Sequence, residues 1–118
     1  PHYHDLGTLL RLEAVGGPND GEVLFETRGA VGEPLGQAFD PPRSLEGATA
    51  LRLTCGYDNP RDEVVRYGIG DQEMCVFLAF TNSRRRFAAI ADENTPAGEE
   101  DGIALNDSNC RLGSFLNR

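Results

Sequence analysis

Leu10, Leu12 and Ala14 alternate with Arg11, Glu13 and Val15, the two-residue period of a strand with one buried face. Pro18-Asn19-Asp20-Gly21 follows and is a tight-turn signal. Glu22 to Arg28 alternates again, so residues 6–28 predict a β-hairpin. Residues 29–47 are rich in Gly and Pro and read as a long connection anchored by Phe39. Ala50 to Tyr57 predicts the next strand, with Leu51, Leu53 and Cys55 on one face and Arg52 and Thr54 on the other. Asp58-Asn59-Pro60 ends it, and Glu63 to Tyr67 reads as a short strand broken by Gly68 and Gly70. Met74 to Thr81 is apolar on both faces, the pattern of a central strand. After Asn82-Ser83-Arg84-Arg85, the run Arg86 to Ala91 predicts a strand. An acidic loop then begins at Asp92, and Ile103 to Leu105 adds an edge strand. No segment holds a helical period. About seven short strands with turns between them predict an all-β fold, an antiparallel, jelly-roll-like β-sandwich. It is a single domain, with residues 1–91 forming the sandwich and 92–118 its acidic loop and C-terminal tail.

Composition narrows the function. The 118 residues suffice for one domain with a real core. Apolar residues make up 39 %, which is globular and not disordered. A net charge of −8 argues against nucleic-acid or anionic-membrane partners. No apolar run reaches the length of a membrane span, and no signal peptide is present, so a secreted protein would be a processed form. Three Cys is an odd number, so one of them lacks an intrachain partner.

The two His residues are His2 and His4, and Met74 is the sole methionine. Imidazole suits copper, and a thioether selects Cu(I). On an extended segment His2 and His4 share a face and can present both rings to one ion, while Tyr3 points the other way. An unbroken register would put both His on the face of Leu10 and Leu12, and a bulge at Gly7 would reset it. Met74 and Cys75 face opposite sides, so Cys75 can fasten the strand while Met74 points into a site. Taken singly, His residues at a terminus are ordinarily solvated and a Met before an apolar strand is ordinarily core.

In combination these segments resemble a known family. His2-Tyr3-His4-Asp5-Leu6-Gly7 is similar to the His-x-His-x-Leu-Gly segment of the copper type II, ascorbate-dependent monooxygenases. Peptidylglycine α-hydroxylating monooxygenase and dopamine β-monooxygenase belong to that family. Gln37-Ala38-Phe39, Leu53-Thr54-Cys55-Gly56-Tyr57-Asp58-Asn59 and Glu73-Met74-Cys75 resemble further family segments in the same order, across residues 2–81. Residues 82–118 match poorly. The resemblance is to the second of the family's two β-sandwich domains, which holds the copper that activates oxygen. It implies that His2, His4 and Met74 bind one copper and that Cys55 pairs with Cys75. It also implies a secreted, extracellular or periplasmic setting. The family's other copper uses three His of the first domain, and this chain has no third. In the family's peptide-amidating branch, a later Cys forms a second bridge. Cys110 is the candidate here, although its spacing departs from the pattern. That branch holds the peptide carboxylate with an Asn and a Tyr after Met-Cys, where this chain has Val76 and Leu78. Peptide amidation is therefore not expected.

The first expectation for function is the oxygen-activating half of a copper monooxygenase. It would be inactive alone and would work with an upstream copper domain or an electron donor such as ascorbate. The second is a stand-alone copper-binding module for storage, delivery or sensing. The third is a β-sandwich without a metal role. No catalytic residue is expected beyond the metal ligands, and with Pro1 at the first position a histidine brace at the amino terminus is not expected. Arg84-Arg85-Arg86 and the acidic Asp92, Glu93, Glu99, Glu100 and Asp101 read as solvated loops, since the acidic spacing does not fit an EF-hand. Asn106-Asp107-Ser108 is a glycosylation sequon, meaningful only in a eukaryotic secretory setting.

Overall fold

The computed structural model describes residues 2–29, 36–82, 86–91, 93–108 and 111–112. Among them all regular structure is β, with no helix. The strands are β1 (Gly7–Val15), β2 (Val23–Arg28), β3 (Ala50–Tyr57), β4 (Val76–Phe80), β5 (Arg86–Ile90), β6 (Thr95–Glu100), β7 (Ile103–Asp107) and β8 (Arg111–Leu112). They form antiparallel sheets in the orders β2-β1-β3, β4-β5-β8 and β6-β7.

The alternation in β1 does what it predicts. Leu10, Leu12 and Ala14 are buried, and the residues between them are half-buried. The turn at residues 16–21 closes the β1–β2 hairpin. Asp20 Oδ1 accepts the Gly16 N–H at 2.7 Å, and Gly21 takes a φ of 79°, where glycine has no steric cost. β3 pairs with the other edge of β1, setting Leu12 opposite Leu53 and Ala14 opposite Leu51. Leu12, Ala14 and Leu24 form the core together with Phe77 of β4. Leu51, Leu53 and Ala79 pack against it, as does Leu45 from the long connection. Phe39 is instead half-buried beneath the Arg43 guanidinium, 5.5 Å from its ring centre.

A disulfide joins Cys55 of β3 to Cys75, one residue before β4, with the Cα atoms 6.0 Å apart. It ties the first sheet to the second beside the shared core.

Three expectations need correction. Glu63 to Tyr67 forms no strand; only Tyr67 makes a bridge, to Glu73. The run Met74 to Thr81 shortens to Val76–Phe80, and among the described residues it is an outer strand of its sheet. Phe77 and Ala79 turn to the core, while Leu78 is 52 % and Phe80 72 % exposed. Apolar residues on both faces do not require burial of both, because much of any folded surface is apolar. Within the expected acidic loop, Thr95–Glu100 form strand β6, paired with β7 across an Asp101-Gly102 turn with both φ values positive. That is the geometry of a tight primed turn.

Candidate metal centre

The segment ahead of β1 is pinned at its start. The His2 N–H donates to Val76 O at 2.9 Å, and the Val76 N–H donates to His2 O at 3.1 Å. This antiparallel bridge sets His2 against the first residue of β4. Tyr3, next along, turns inward and is 1 % exposed, its hydroxyl donating to Gly29 O. Its ring fills the space where a side chain on Gly7 would lie, since a Cβ there would sit 1.8 Å from Tyr3 Cδ2. Glycine is therefore required by this close approach.

With Tyr3 inward, His2 and His4 fall on the other face, both half-buried. Their ring centres are 4.9 Å apart and the planes meet at 67°. The expected shared face is present. The register does not run unbroken into β1. A turn closes with the Gly7 N–H on His4 O at 3.1 Å, and the β1–β3 register shifts between Gly7 and Leu9. That reset frees the His pair from the core face of Leu10 and Leu12.

His4 is held by the run just before β4. Its N–H donates to Glu73 Oε2 at 2.7 Å, and the Leu6 N–H donates to Glu73 Oε1 at 2.8 Å. Its ring Nδ1 lies 2.6 Å from Gln72 O. A carbonyl only accepts, so the proton sits on Nδ1 and the Nε2 lone pair of the neutral ring stays available. A ring nitrogen bonded to a backbone carbonyl is the usual outer support of a metal-binding histidine. Glu73 is only 8 % exposed, and its own backbone is fixed between Arg66 O and the Gly68 N–H, each at 3.0 Å. Reading the sequence missed Glu73 as an independent participant. It entered only as part of a signature, although a carboxylate directly before the sole methionine was the available signal.

Met74 is half-buried, between buried Glu73 and buried Cys75. Alternation puts Cys75 and Phe77 on the core side and Met74 and Val76 on the other. Counting outward from the His2–Val76 bridge sets His4 across from Met74. The ladder does not continue that far, because the Glu73 carboxylate takes the His4 N–H. Tyr57, at the end of β3, donates its hydroxyl to Met74 O at 2.7 Å. Burial pushes the Tyr57 phenol well above its ordinary value, with the Glu73 carboxylate and Tyr3 adding to the rise. Although Tyr57 is 41 % exposed as a whole, its hydroxyl end is held against the Met74 backbone. Burial also raises the Tyr3 phenol, a hydrogen bond to Thr27 opposes this, and Glu73 adds a smaller rise.

The donor set fits copper on its chemistry: two imidazoles, one of them with a fixed tautomer, and a thioether on their side of the strand. Among the described residues no three His, Cys, Asp or Glu side chains gather as a metal-sized group. Glu99, Glu100 and Asp101 are exposed on the β6–β7 hairpin and its turn. Ser108 of the sequon donates its hydroxyl to Glu93 O. Cys110, Arg84, Arg85 and Asp92 lie outside the described residues. In comparisons with protein-family models, curated proteins and solved structures, the chain matches none.

Proposed function

We propose that this chain is a copper-binding β-sandwich domain similar to the oxygen-activating half of a copper type II, ascorbate-dependent monooxygenase. Its one ion is held by His2, His4 and Met74. The observation that carries the reading is the His pair itself: two rings 4.9 Å apart, with His4 Nδ1 on Gln72 O and Nε2 left as a donor. The β-sandwich reading, jelly-roll-like, rests on Phe77 and Ala79 joining the core of the first sheet and on Cys55–Cys75 linking the two sheets. The disulfide also favours an oxidising compartment, secreted or periplasmic.

Copper at this position supplies one-electron exchange and a place for oxygen to react. The chain's own residues hold and orient the ion. Tyr3 and Gly7 fix the segment, Gln72 and Glu73 fix His4, and Cys75 ties down the strand that brings Met74. Both histidines of the chain belong to this set. As an enzyme the chain would need a second, three-His centre supplied by another domain, with ascorbate or a similar donor as the electron source. That inventory also supports the second reading, a copper-binding module without catalysis.

Cu(I) titration against a chromophoric competitor, with X-ray absorption, tests the site. One copper per chain is expected, abolished in His4→Ala, with Cu(I) affinity reduced in Met74→Leu. Copper at other residues, or unchanged Cu(I) affinity in Met74→Leu, overturns the assignment. A coupled assay with ascorbate, oxygen and aromatic or peptide substrates separates the two readings of activity. Slow oxygen reduction with hydrogen peroxide release is expected from the isolated chain. Product formed in step with oxygen consumed, and lost in His4→Ala, would make the chain an enzyme on its own.

A further inference from the structure

We infer that Glu73 is a positioning residue that sets His4 for metal before any metal arrives, an inference that rests on the copper reading above. Three consecutive residues hold His4 or share its site. Gln72 O fixes the ring through Nδ1, the Glu73 carboxylate fixes the main chain through N–H, and Met74 is the third donor. The register of ring, backbone and thioether is thus set by one short stretch of chain.

The carboxylate earns this role by geometry. Both its oxygens receive amides of the histidine segment, at 2.7 Å from His4 and 2.8 Å from Leu6, and the group is 8 % exposed. Amide bonds to a buried ionised oxygen are stronger than neutral ones. Those amides lie where the ladder with β4 has stopped, so Glu73 replaces the missing strand partner. The rest of the segment has separate anchors. His2 is bridged to Val76, Tyr3 is buried with its hydroxyl on Gly29 O, and Leu6 O accepts the Asp58 N–H at 2.9 Å. Losing Glu73 therefore loosens His4 and leaves the fold standing. Glu73→Gln is nearly isosteric but turns an N–H₂ toward one of the amides, which breaks one of the bonds and opposes two donors.

The experiment compares the full chain with Glu73→Gln, Glu73→Asp and, as a control, Glu46→Gln, an exposed carboxylate remote in sequence. Cu(I) affinity is read by chelator competition, and the number of imidazoles on Cu(II) by pulsed electron paramagnetic resonance. Amide hydrogen exchange is read on the metal-free proteins. Glu73→Gln is expected to lose about 10–100-fold in Cu(I) affinity, the usual loss for an outer partner of a metal ligand. It should also show one imidazole weakened or lost in folded protein, a signature that a change in stability alone does not produce. Glu73→Asp should recover part of the affinity, and Glu46→Gln should match the unaltered chain. In the unaltered metal-free chain the His4 and Leu6 amides should be protected. Random-coil exchange there overturns the proposal without need of any variant. Copper bound equally tightly by Glu73→Gln, with two imidazoles, overturns this proposal and leaves the copper reading intact. If the unaltered chain takes up no Cu(I), the copper reading falls and this proposal with it.

Discussion

Among the described residues, the hairpins β1–β2 and β6–β7 are built on similar turn chemistry and end in opposite circumstances. β1–β2 closes over Asn19-Asp20-Gly21 and buries Leu10, Leu12, Ala14 and Leu24. β6–β7 closes over Asp101-Gly102, and every residue in its two strands is exposed. A turn signal therefore specifies that two strands pair. It does not specify that the pair has anything to pack on. What separates them is the content of the strands. β1 alternates Leu and Ala with polar residues, whereas β6 is Thr-Pro-Ala-Gly-Glu-Glu and has no apolar face to bury. A two-stranded ribbon without a packed face is marginal by itself in water. The candidate metal centre is attached to the first hairpin, through Tyr3 on Gly7 and Gly29.

The largest test of this contrast is Leu12→Ala, expected to cost about 3 kcal/mol through lost burial and a residual cavity. Urea denaturation monitored by circular dichroism reads it, and a loss below about 1 kcal/mol would mean that β1 is not the core strand described. Reducing the Cys55–Cys75 bond is expected to cost about 3 kcal/mol on the loop-entropy argument for its separation of 20 residues. Unreduced mass spectrometry showing both thiols free would remove this link. Gly7→Ala should cost about 2 kcal/mol by overpacking against Tyr3, and should lower copper uptake beyond what stability alone explains. Alkaline pH gives a smaller effect. As pH rises past about 10, an unfolded tyrosine ionises while Tyr57 in the fold keeps its proton. The unfolded state then binds fewer protons, so stability falls from there upward. Tyr57→Phe should flatten that decline, seen as urea midpoints between about pH 8 and pH 11.5, where a slope unchanged by the substitution would discount the raised phenol. Last, Leu105→Ala in β7 should change stability by less than about 0.5 kcal/mol. A larger loss would show that the second hairpin is packed after all.

Local period made much of the first sheet legible. The bounds of β3 follow directly from Ala50 to Tyr57, and the inward set Leu10, Leu12 and Ala14 from strict alternation. The failures share a cause. Met74 to Thr81 reads as central because composition reports apolarity, not which neighbours are present. β6 reads as a loop because Pro96 and Gly98 are poor strand formers, and the cross-strand ladder to β7 overrides that preference. At the site, the side-by-side placement of His2 and His4 was legible from their spacing. The support from Gln72 O was not, because a backbone carbonyl carries no residue-specific signal. Glu73 needed the fold to bring residues 69 and 67 positions apart in sequence, as it does for His4 and Leu6.

Tyr3 gives the His pair a parity. Because the residue between the two rings is the one that enters the core, the site can be miscounted but not slid. Inserting a single residue between Tyr3 and Gly7 would uncouple the aromatic ring from the glycine whose missing side chain leaves room for it. Deleting Tyr3 would drive a histidine inward in its place. A change of length between residues 3 and 7 breaks this fit, whereas a substitution at exposed Asp5 leaves the count intact. Anyone transplanting the two histidines to another strand would have to carry the buried aromatic and the glycine with them.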